Sequence, residues 1–317
     1  MRPFTELSAS SQVAKLRPIA VEFCREFGVS PRSIRLLHHA FNTSFRVDAE
    51  DDRRFAMRIN VHSQSGPGQL DAEIAWIRAL AAGGRVNVPA PQSSPDGRFI
   101  LSRPGPLGRP LRAVLYSWLG GRMGVRVATP ATLFQLGAAT ADLHDHAASW
   151  NVPEAARFKP LPDLLYGHAF ILPEREPFLR TLDLSKRLFD KLARSPRIPI
   201  HYDLHLGNVK VDRGKLFVFD FDDAVLAWPI LDASVTIGAI RRFPCAEELI
   251  AAYWQGLGKK PVDFGFTDEE FEGLVMCRRL FIANEIAGPI DPASIARRPQ
   301  FLAAVESELG RFWQHPR

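Results

Sequence analysis

Cysteine is scarce. The 317 residues contain three, Cys24, Cys245 and Cys277, which lie far apart, are odd in number and show no CxxC spacing. That excludes a disulfide framework and a thiolate zinc ribbon, and the three are expected to be buried thiols in a reducing compartment. Long apolar runs are missing as well. The opening MRPFTELSASSQVAKLRP lacks the unbroken apolar core of a signal peptide, and no later segment offers the roughly 20 apolar residues of a membrane span. A cytoplasmic protein without membrane contact is the expectation. The formal net charge is +5, but the Arg and Lys are scattered, and no basic block suggests a nucleic-acid or lipid partner. The mild excess suits an anionic small ligand. There is no internal repeat, no low-complexity tract and no GxGxxG.

What is present is ordinary globular material, 46% hydrophobic and 24% charged, enough for one or two domains with a real core. Apolar residues recur at helical spacing over 11–28, after a serine cap. TSFRVDAEDDRRFAMRINV then alternates, with Phe45, Val47, Phe55, Met57, Ile59 and Val61 on one face of an antiparallel hairpin and Arg58 pointing away from it. In QLDAEIAWIRAL helical steps from Leu70 run through Glu73, Ile77 and Leu80, which puts one carboxylate on an apolar stripe, where it needs a partner. Two further strands around a long loop precede a break at Gly120 and Gly121. Beyond it helical patterns dominate. A β-rich first third and a helix-rich remainder predict an α+β chain with two lobes.

The most informative stretch is IPIHYDLHLGNVKVDRGKLFVFDFDD, residues 198–223. A turn at VDRGK would pair its two strands as a hairpin and bring Asn208 and Asp220 to the same end. An amide oxygen beside a carboxylate is the hard-oxygen donor set that Mg²⁺ prefers. If the second strand stays extended, Asp220 and Asp222 share the side opposite Phe217, Phe219 and Phe221. Asp203 lies five residues before Asn208, a spacing that lets one loop present a base and a metal ligand, as in the H-R-D-x-x-x-x-N loop of kinases. HYDLH also reads as two histidines and a carboxylate for zinc, which makes a metal hydrolase an alternative chemistry. LHDH at 143–146 reads as histidines near a helix end.

With His201, Asp203, Asn208, Asp220 and the following PILDAS, the chain resembles the aminoglycoside phosphotransferase and choline kinase superfamily. FNTSFRV, FAMRINV, AEIAWIRALA and GAATADLHDHAASW resemble its type II homoserine kinase and stress response kinase A branch. The resemblance implies a bilobal, protein-kinase-like fold, with a small β-rich N-lobe over 1–115, a hinge at 116–121 and a larger helical C-lobe over 122–317. It implies Asp203 as base toward the acceptor hydroxyl, His201 as support for its loop, and Asn208 and Asp220 as Mg²⁺ ligands, with Asp222 a further candidate ligand. Asp232 would brace the loop. Arg58 stands where the kinase lysine meets ATP phosphates, and Glu73 matches its helix partner, which supplies the counterion that Glu73 requires. Asn42, Thr43 and Ser44 would touch phosphate, and backbone groups of Tyr116, Ser117, Trp118 and Leu119 would read adenine.

The chain departs from the family pattern at Arg58, a guanidinium in place of an ammonium, and at Tyr202, where the superfamily usually has Gly. Arg278 and Arg279 in CRRL lie on a late helix for which facing the acceptor pocket is one reading and a solvated face the expected one. The implied activity is transfer of the ATP γ-phosphoryl to a hydroxyl of a small molecule such as an amino alcohol, homoserine or an aminoglycoside. The short interval from Asp223 to Asp232 leaves no room for a long activation segment. Stress response kinase A implies a protein Ser/Thr acceptor instead, and a nucleotide-binding pseudokinase is the non-enzymatic alternative.

Overall fold

The computed structural model describes residues 3–61, 67–161, 169–288 and 292–314. It divides into two compact units: 1–82 with 88–120 and 153–156, and 83–87 with 121–152 and 157–317.

The first unit starts with helix α1 (Ala9–Glu26), capped by Ser8, whose hydroxyl accepts the Ser11 N–H. This helix begins two residues before the periodicity suggests, because the cap precedes the first apolar residue of the stripe. Strands β1 (Pro31–His39), β2 (Asn42–Ala49) and β3 (Arg54–Asn60) follow, then helix α2 (Pro67–Gly83) and strands β4 (Pro91–Gln92), β5 (Leu101–Pro104) and β6 (Pro110–Ser117). The sheet order is β1-β2-β3-β6-β4, with β5 also on β6, and every pairing is antiparallel. Phe45, Val47, Met57, Ile59 and Val61 are fully buried with Leu16, Ala20, Phe23 and Cys24 of α1 in one apolar cluster. Each large side chain buried there contributes about 1.5–3 kcal/mol. The alternation of the hairpin therefore appears as expected. β1 escaped the sequence reading: PRSIRLLHH is mostly exposed and carries two register shifts, so it shows no period of two.

The sheet's other face is polar. Register pairs place Asn42 opposite Asn60, Ser44 opposite Arg58 and Arg46 opposite Ala56 across β2 and β3. Val114 and Tyr116 of β6 lie opposite Arg58 and Ala56 on that face.

The second unit carries β7 (Arg122–Met123), α3 (Pro130–Ser149), α4 (Glu176–Leu192), β8 (Ile198–Ile200), β9 (Val209–Asp212), β10 (Lys215–Val218), β11 (Val225–Ala227), α5 (Ile230–Ile240), α6 (Ala246–Leu257), α7 (Asp268–Ala287) and α8 (Pro292–Gln314). Its sheets are small, β10-β9-β7 and β11-β8. Helices supply the bulk, with α3 on α6 and α7 against α4, α5 and α8. Gly137 of α3 and Gly256 of α6 each face the other helix's backbone so closely that a Cβ would collide with a carbonyl, of Tyr253 and Phe134 respectively. Together the elements make an α+β molecule. No helix among the described residues is long and apolar enough to cross a membrane. Two of the three cysteines are buried as expected, but Cys245 is exposed, at the cap of α6 rather than on its packed face.

Candidate active site

The β9–β10 hairpin closes on Arg213 and Gly214, both with positive φ (49° and 79°), the backbone that a tight antiparallel turn requires. Its register pairs Val218 with Val209, and Phe219 N–H then donates to Asn208 C=O at 3.0 Å. Asn208 and Asp220 thus stand at the same end of the hairpin. The extended continuation does not occur. β10 stops at Val218, Asp220 turns left-handed at φ 67°, and 221–223 form a 3₁₀ turn. Asp222 therefore does not share a strand face with Asp220. Two conformationally demanding positions in sequence, Asp220 and the turn behind it, override the period-two pattern of FVFDFDD.

The loop from His201 to Asn208 is held from behind by Asp232 in the first turn of α5. Its fully buried carboxylate accepts the N–H of Tyr202 at 2.6 Å and of His201 at 3.3 Å, and lies 2.9 Å from His144 Nε2. His144 is thus not a helix-end histidine: it sits inside α3 and ties it to α5. Two strong acceptor oxygens serve three donors, which fixes the loop as it leaves β8.

His201 is buried. Its Nδ1 accepts the Asp203 N–H at 3.3 Å, so its Nε2, 3.1 Å from Phe219 C=O, carries the proton. Both ring nitrogens are committed to backbone, so His201 shapes the loop and cannot ligate zinc. His205 Nδ1 accepts the Gly207 N–H at 2.8 Å, which leaves Nε2 to face Asp203 Oδ2 at 3.5 Å. Among the described residues there is no group of three or more His, Cys, Asp or Glu able to hold a metal ion. The zinc arrangement that HYDLH suggests is not formed.

Asn208 Nδ2 donates to Asp203 twice, to the backbone carbonyl at 2.9 Å and to Oδ2 at 2.7 Å. The other carboxylate oxygen, Oδ1, lies 3.6 Å from Arg278 Nη2 on α7. Burial works to raise the Asp203 carboxyl, but the His205 ring facing Oδ2 and the electrostatic pull of His205, Arg278 and His201 outweigh it and hold Asp203 below the usual carboxylate range. Asp223 goes the other way. Water reaches it, yet the protein crowded around it desolvates its carboxyl, and Asp203 and Asp222 add repulsion, so it is pushed well above that range.

Arg278 corrects the solvated-face expectation for CRRL. Its side chain is 8% exposed, and Arg279 is largely covered too, paired with Glu308 at 2.9 Å. Tyr202, the residue where the family usually has Gly, takes φ 63°, which explains why Gly is the easier choice there. A non-glycine residue in this region costs about 1–2 kcal/mol, offset here by the Asp232 hydrogen bond and by packing of the fully buried ring against Arg278 at 4.3 Å.

Gly207 has a different constraint: an added Cβ would lie 2.5 Å from His205 Cε1. Gly207→Ala must displace the imidazole from Asp203, so turnover should fall about 10- to 100-fold, with a melting temperature close to that of the unaltered protein. Steady-state kinetics beside a thermal melt checks this, and full activity in the variant would show that the His205 ring position is immaterial.

In the first unit, Arg58 and Glu73 are buried and paired, Nη2 to Oε2 at 2.5 Å, and the Tyr116 hydroxyl donates to Glu73 Oε1 at 3.2 Å. This is the partner that a carboxylate on the apolar stripe of α2 demanded. Asn42 and Ser44 share the Arg58 face. Thr43 does not. Its fully buried side chain lies on the α1 side, with its hydroxyl 2.7 Å from His39 Nδ1, which removes it from the phosphate-contact set. Of the segment expected to read adenine, Tyr116 and Ser117 are the last residues of β6, Trp118 and Leu119 follow it, and the Ser117 N–H is already donated to Ala90 C=O at 2.9 Å.

Comparison with known proteins bears on what this arrangement belongs to. The phosphotransferase enzyme family (APH) matches residues 33–272. The amicoumacin kinase of Bacillus subtilis (strain 168) is 25% identical over 236 residues, covering 71% of this chain and 68% of the relative. Among solved structures, a microcompartment-associated aminopropanol kinase superposes with a TM-score of 0.77 at 22% identity, over 94% of this chain and 98% of the other. The amicoumacin kinase hAmiN, in complex with AMP-PNP, Ca²⁺ and Ami, does so with a TM-score of 0.76 at 18% identity, over 95% and 96%. The chain belongs to the phosphotransferase enzyme family and is a kinase-type phosphotransferase whose acceptor is an alcohol.

Proposed function

We propose that the chain moves the γ-phosphoryl of ATP, with Mg²⁺, to a hydroxyl of a small molecule that carries an amino group. The observation that carries this is the state of Asp203: one carboxylate oxygen is held by Asn208, the group stays ionised, and the side chain remains 29% exposed, so a hydroxyl can reach it. Asp203 would accept or orient the hydroxyl proton while the loop, fixed by Asp232 and His201, keeps the attack in line.

The residues fit a divalent cation. The Asn208 amide nitrogen is turned to Asp203, which leaves its carbonyl oxygen as the outward donor, and Asp220 stands at the same hairpin end. Asn208 and Asp220 would hold the ion, with Asp222 as a candidate third ligand, an all-oxygen set of the kind Mg²⁺ takes. When bound, the ion would neutralise charge on the phosphate oxygens. In the first unit, Arg58 would meet nucleotide phosphates with its orientation set by Glu73, Asn42 and Ser44 would add polar contacts on the same sheet face, and backbone groups from Tyr116 to Leu119 would read the base.

A small acceptor is favoured over a protein. β11 begins at Val225, two residues after Asp223, and α5 begins at Ile230, which leaves no segment to dock a peptide. The relatives named for amicoumacin and aminopropanol suggest an amino-bearing alcohol.

The test is ATP consumption with Mg²⁺ against a panel of amino alcohols, aminoglycosides, homoserine and a generic protein substrate. Turnover on one small compound supports the reading, and turnover on protein alone overturns it. Asp220→Ala is expected to abolish turnover and to weaken Mg²⁺ binding, measured by calorimetry in the presence of AMP-PNP, at a melting temperature within a few degrees of the unaltered protein. Unchanged Mg²⁺ affinity would remove Asp220 from the ligand set.

A further inference from the structure

The base proposed above is contacted on both oxygens, and the residue on its second oxygen comes from far away in the chain. Arg278 lies 75 residues after Asp203, in the middle of α7. Its guanidinium lies over two neighbouring rings, 4.3 Å from the centroid of Tyr202 and 4.8 Å from that of Phe281. Phe281 is one helical turn further along α7, and Tyr202 is the residue immediately before Asp203. The left-handed backbone at Tyr202 turns this ring inward, where it is fully buried against α7. A glycine at 202 would leave the guanidinium without that platform. The strained tyrosine and the buried arginine therefore form one device, tied to the loop by Asp232 and ending 3.6 Å from Asp203 Oδ1.

The charge balance gives this device a task. Asp203, Asp222 and Glu285 each disfavour charge on Asp223, and Arg278 is the cation of α7 that acts on both Asp203 and Asp223. Asn208 and His205 both face Oδ2, which leaves the direction of Oδ1 to its own neighbour, Arg278. Arg278, too buried to move, sets where Oδ1 points.

We infer that Arg278 is a positioning residue for phosphoryl transfer, acting through Asp203: clamped by Tyr202 and Phe281, it directs Oδ1 toward the acceptor hydroxyl while Asn208 holds Oδ2. The inference rests on the reading of Asp203 as the base. It makes no demand on the acceptor's identity, because Arg278 touches the base and not the substrate.

The experiment measures kcat and acceptor KM for Arg278→Met and Arg278→Lys, each made alone and with Asp203→Asn, with AMP-PNP affinity and a thermal melt as checks on folding. Arg278→Met is expected to lower kcat about 100-fold with acceptor KM within about threefold, and in the Asp203→Asn background to cost less than about threefold more, because two residues acting as a unit are not additive. Arg278→Lys keeps the charge without the planar fork, and is expected to recover part of the loss. It also serves as the test should the methionine variant fail to fold. A rise in acceptor KM at unchanged kcat would make Arg278 a substrate contact and overturn the inference. Equal losses with and without the Asp203 carboxylate would make its role merely structural and overturn it as well. Asp203→Asn turning over like the unaltered protein is a different result: it removes the base assignment itself and takes the inference with it.

Discussion

Asp203→Asn is expected to lower kcat by about 10²- to 10⁴-fold, the range that a positioned general base contributes, while nucleotide affinity stays within a few-fold. The amide is nearly isosteric but cannot accept a proton, and its NH₂ would face either Asn208 Nδ2, now 2.7 Å from Oδ2, or Arg278 Nη2, 3.6 Å from Oδ1. Donor against donor on either side reorients the side chain, so both proton acceptance and direction are lost. Steady-state kinetics with AMP-PNP binding as control separates this from a folding defect. Turnover within about threefold of the unaltered protein would show that transfer proceeds without a base at this position.

The largest effect on stability is expected at Asp232. Asp232→Ala leaves two backbone N–H groups, those of His201 and Tyr202, without their acceptor, and takes from the buried His144 its carboxylate partner. Each buried donor stranded in this way costs about 1–3 kcal/mol, so a loss of about 3–5 kcal/mol is expected, comparable to breaking a buried pair by removing one partner. Urea unfolding measures it as a shift in midpoint at unchanged slope. Asp232→Asn retains one acceptor oxygen and should lose less. A loss below about 1 kcal/mol for the alanine variant would show that water or a relaxed loop replaces the carboxylate. Activity is expected to fall with stability at this position, because Asp203 inherits its backbone position from the two amides that Asp232 holds.

These expectations differ in how far they could be read from the chain alone. Asp203, Asn208 and Asp220 stand within eighteen residues, on a loop and the hairpin that follows it, whose turn residues and apolar alternation are written in the sequence. Arg58 and Glu73 were legible for a similar reason: a charge of the wrong kind on a periodic apolar stripe calls for a partner, and one charged residue pointed off the hairpin's apolar face. Two details went otherwise: Asp222 was set beside Asp220 by a strand parity that does not continue, and Thr43 was grouped with Asn42 and Ser44 although its side chain lies on the other face. Asp222 depends on a single left-handed residue at 220, and Thr43 on strand parity that a phosphate-contact assignment ignores.

Arg278 and His144 carried no such signal. One lies on an all-round buried helix with no clear apolar stripe, and the other in a motif that suits a helix end. Burial of a guanidinium is paid for by rings and carboxylates from other elements, and no spacing within CRRL records them. The positive φ at Tyr202 could have been suspected from the absent glycine, but not the stacking that makes tyrosine acceptable there.

By itself the sequence determined what period and local turn chemistry can encode: the apolar faces of the first sheet, the helices of the second unit, the hairpin that joins Asn208 to Asp220, and the residue types of a phosphotransferase. Tertiary structure alone decided which charges meet, that Asp232 reaches two amides and a histidine from different elements, and that Asp203 is flanked by an arginine 75 residues away. The reason is physical. Secondary structure is set by forces that act over a few residues, whereas the direction of a carboxylate is set by whichever buried donors packing brings within 4 Å.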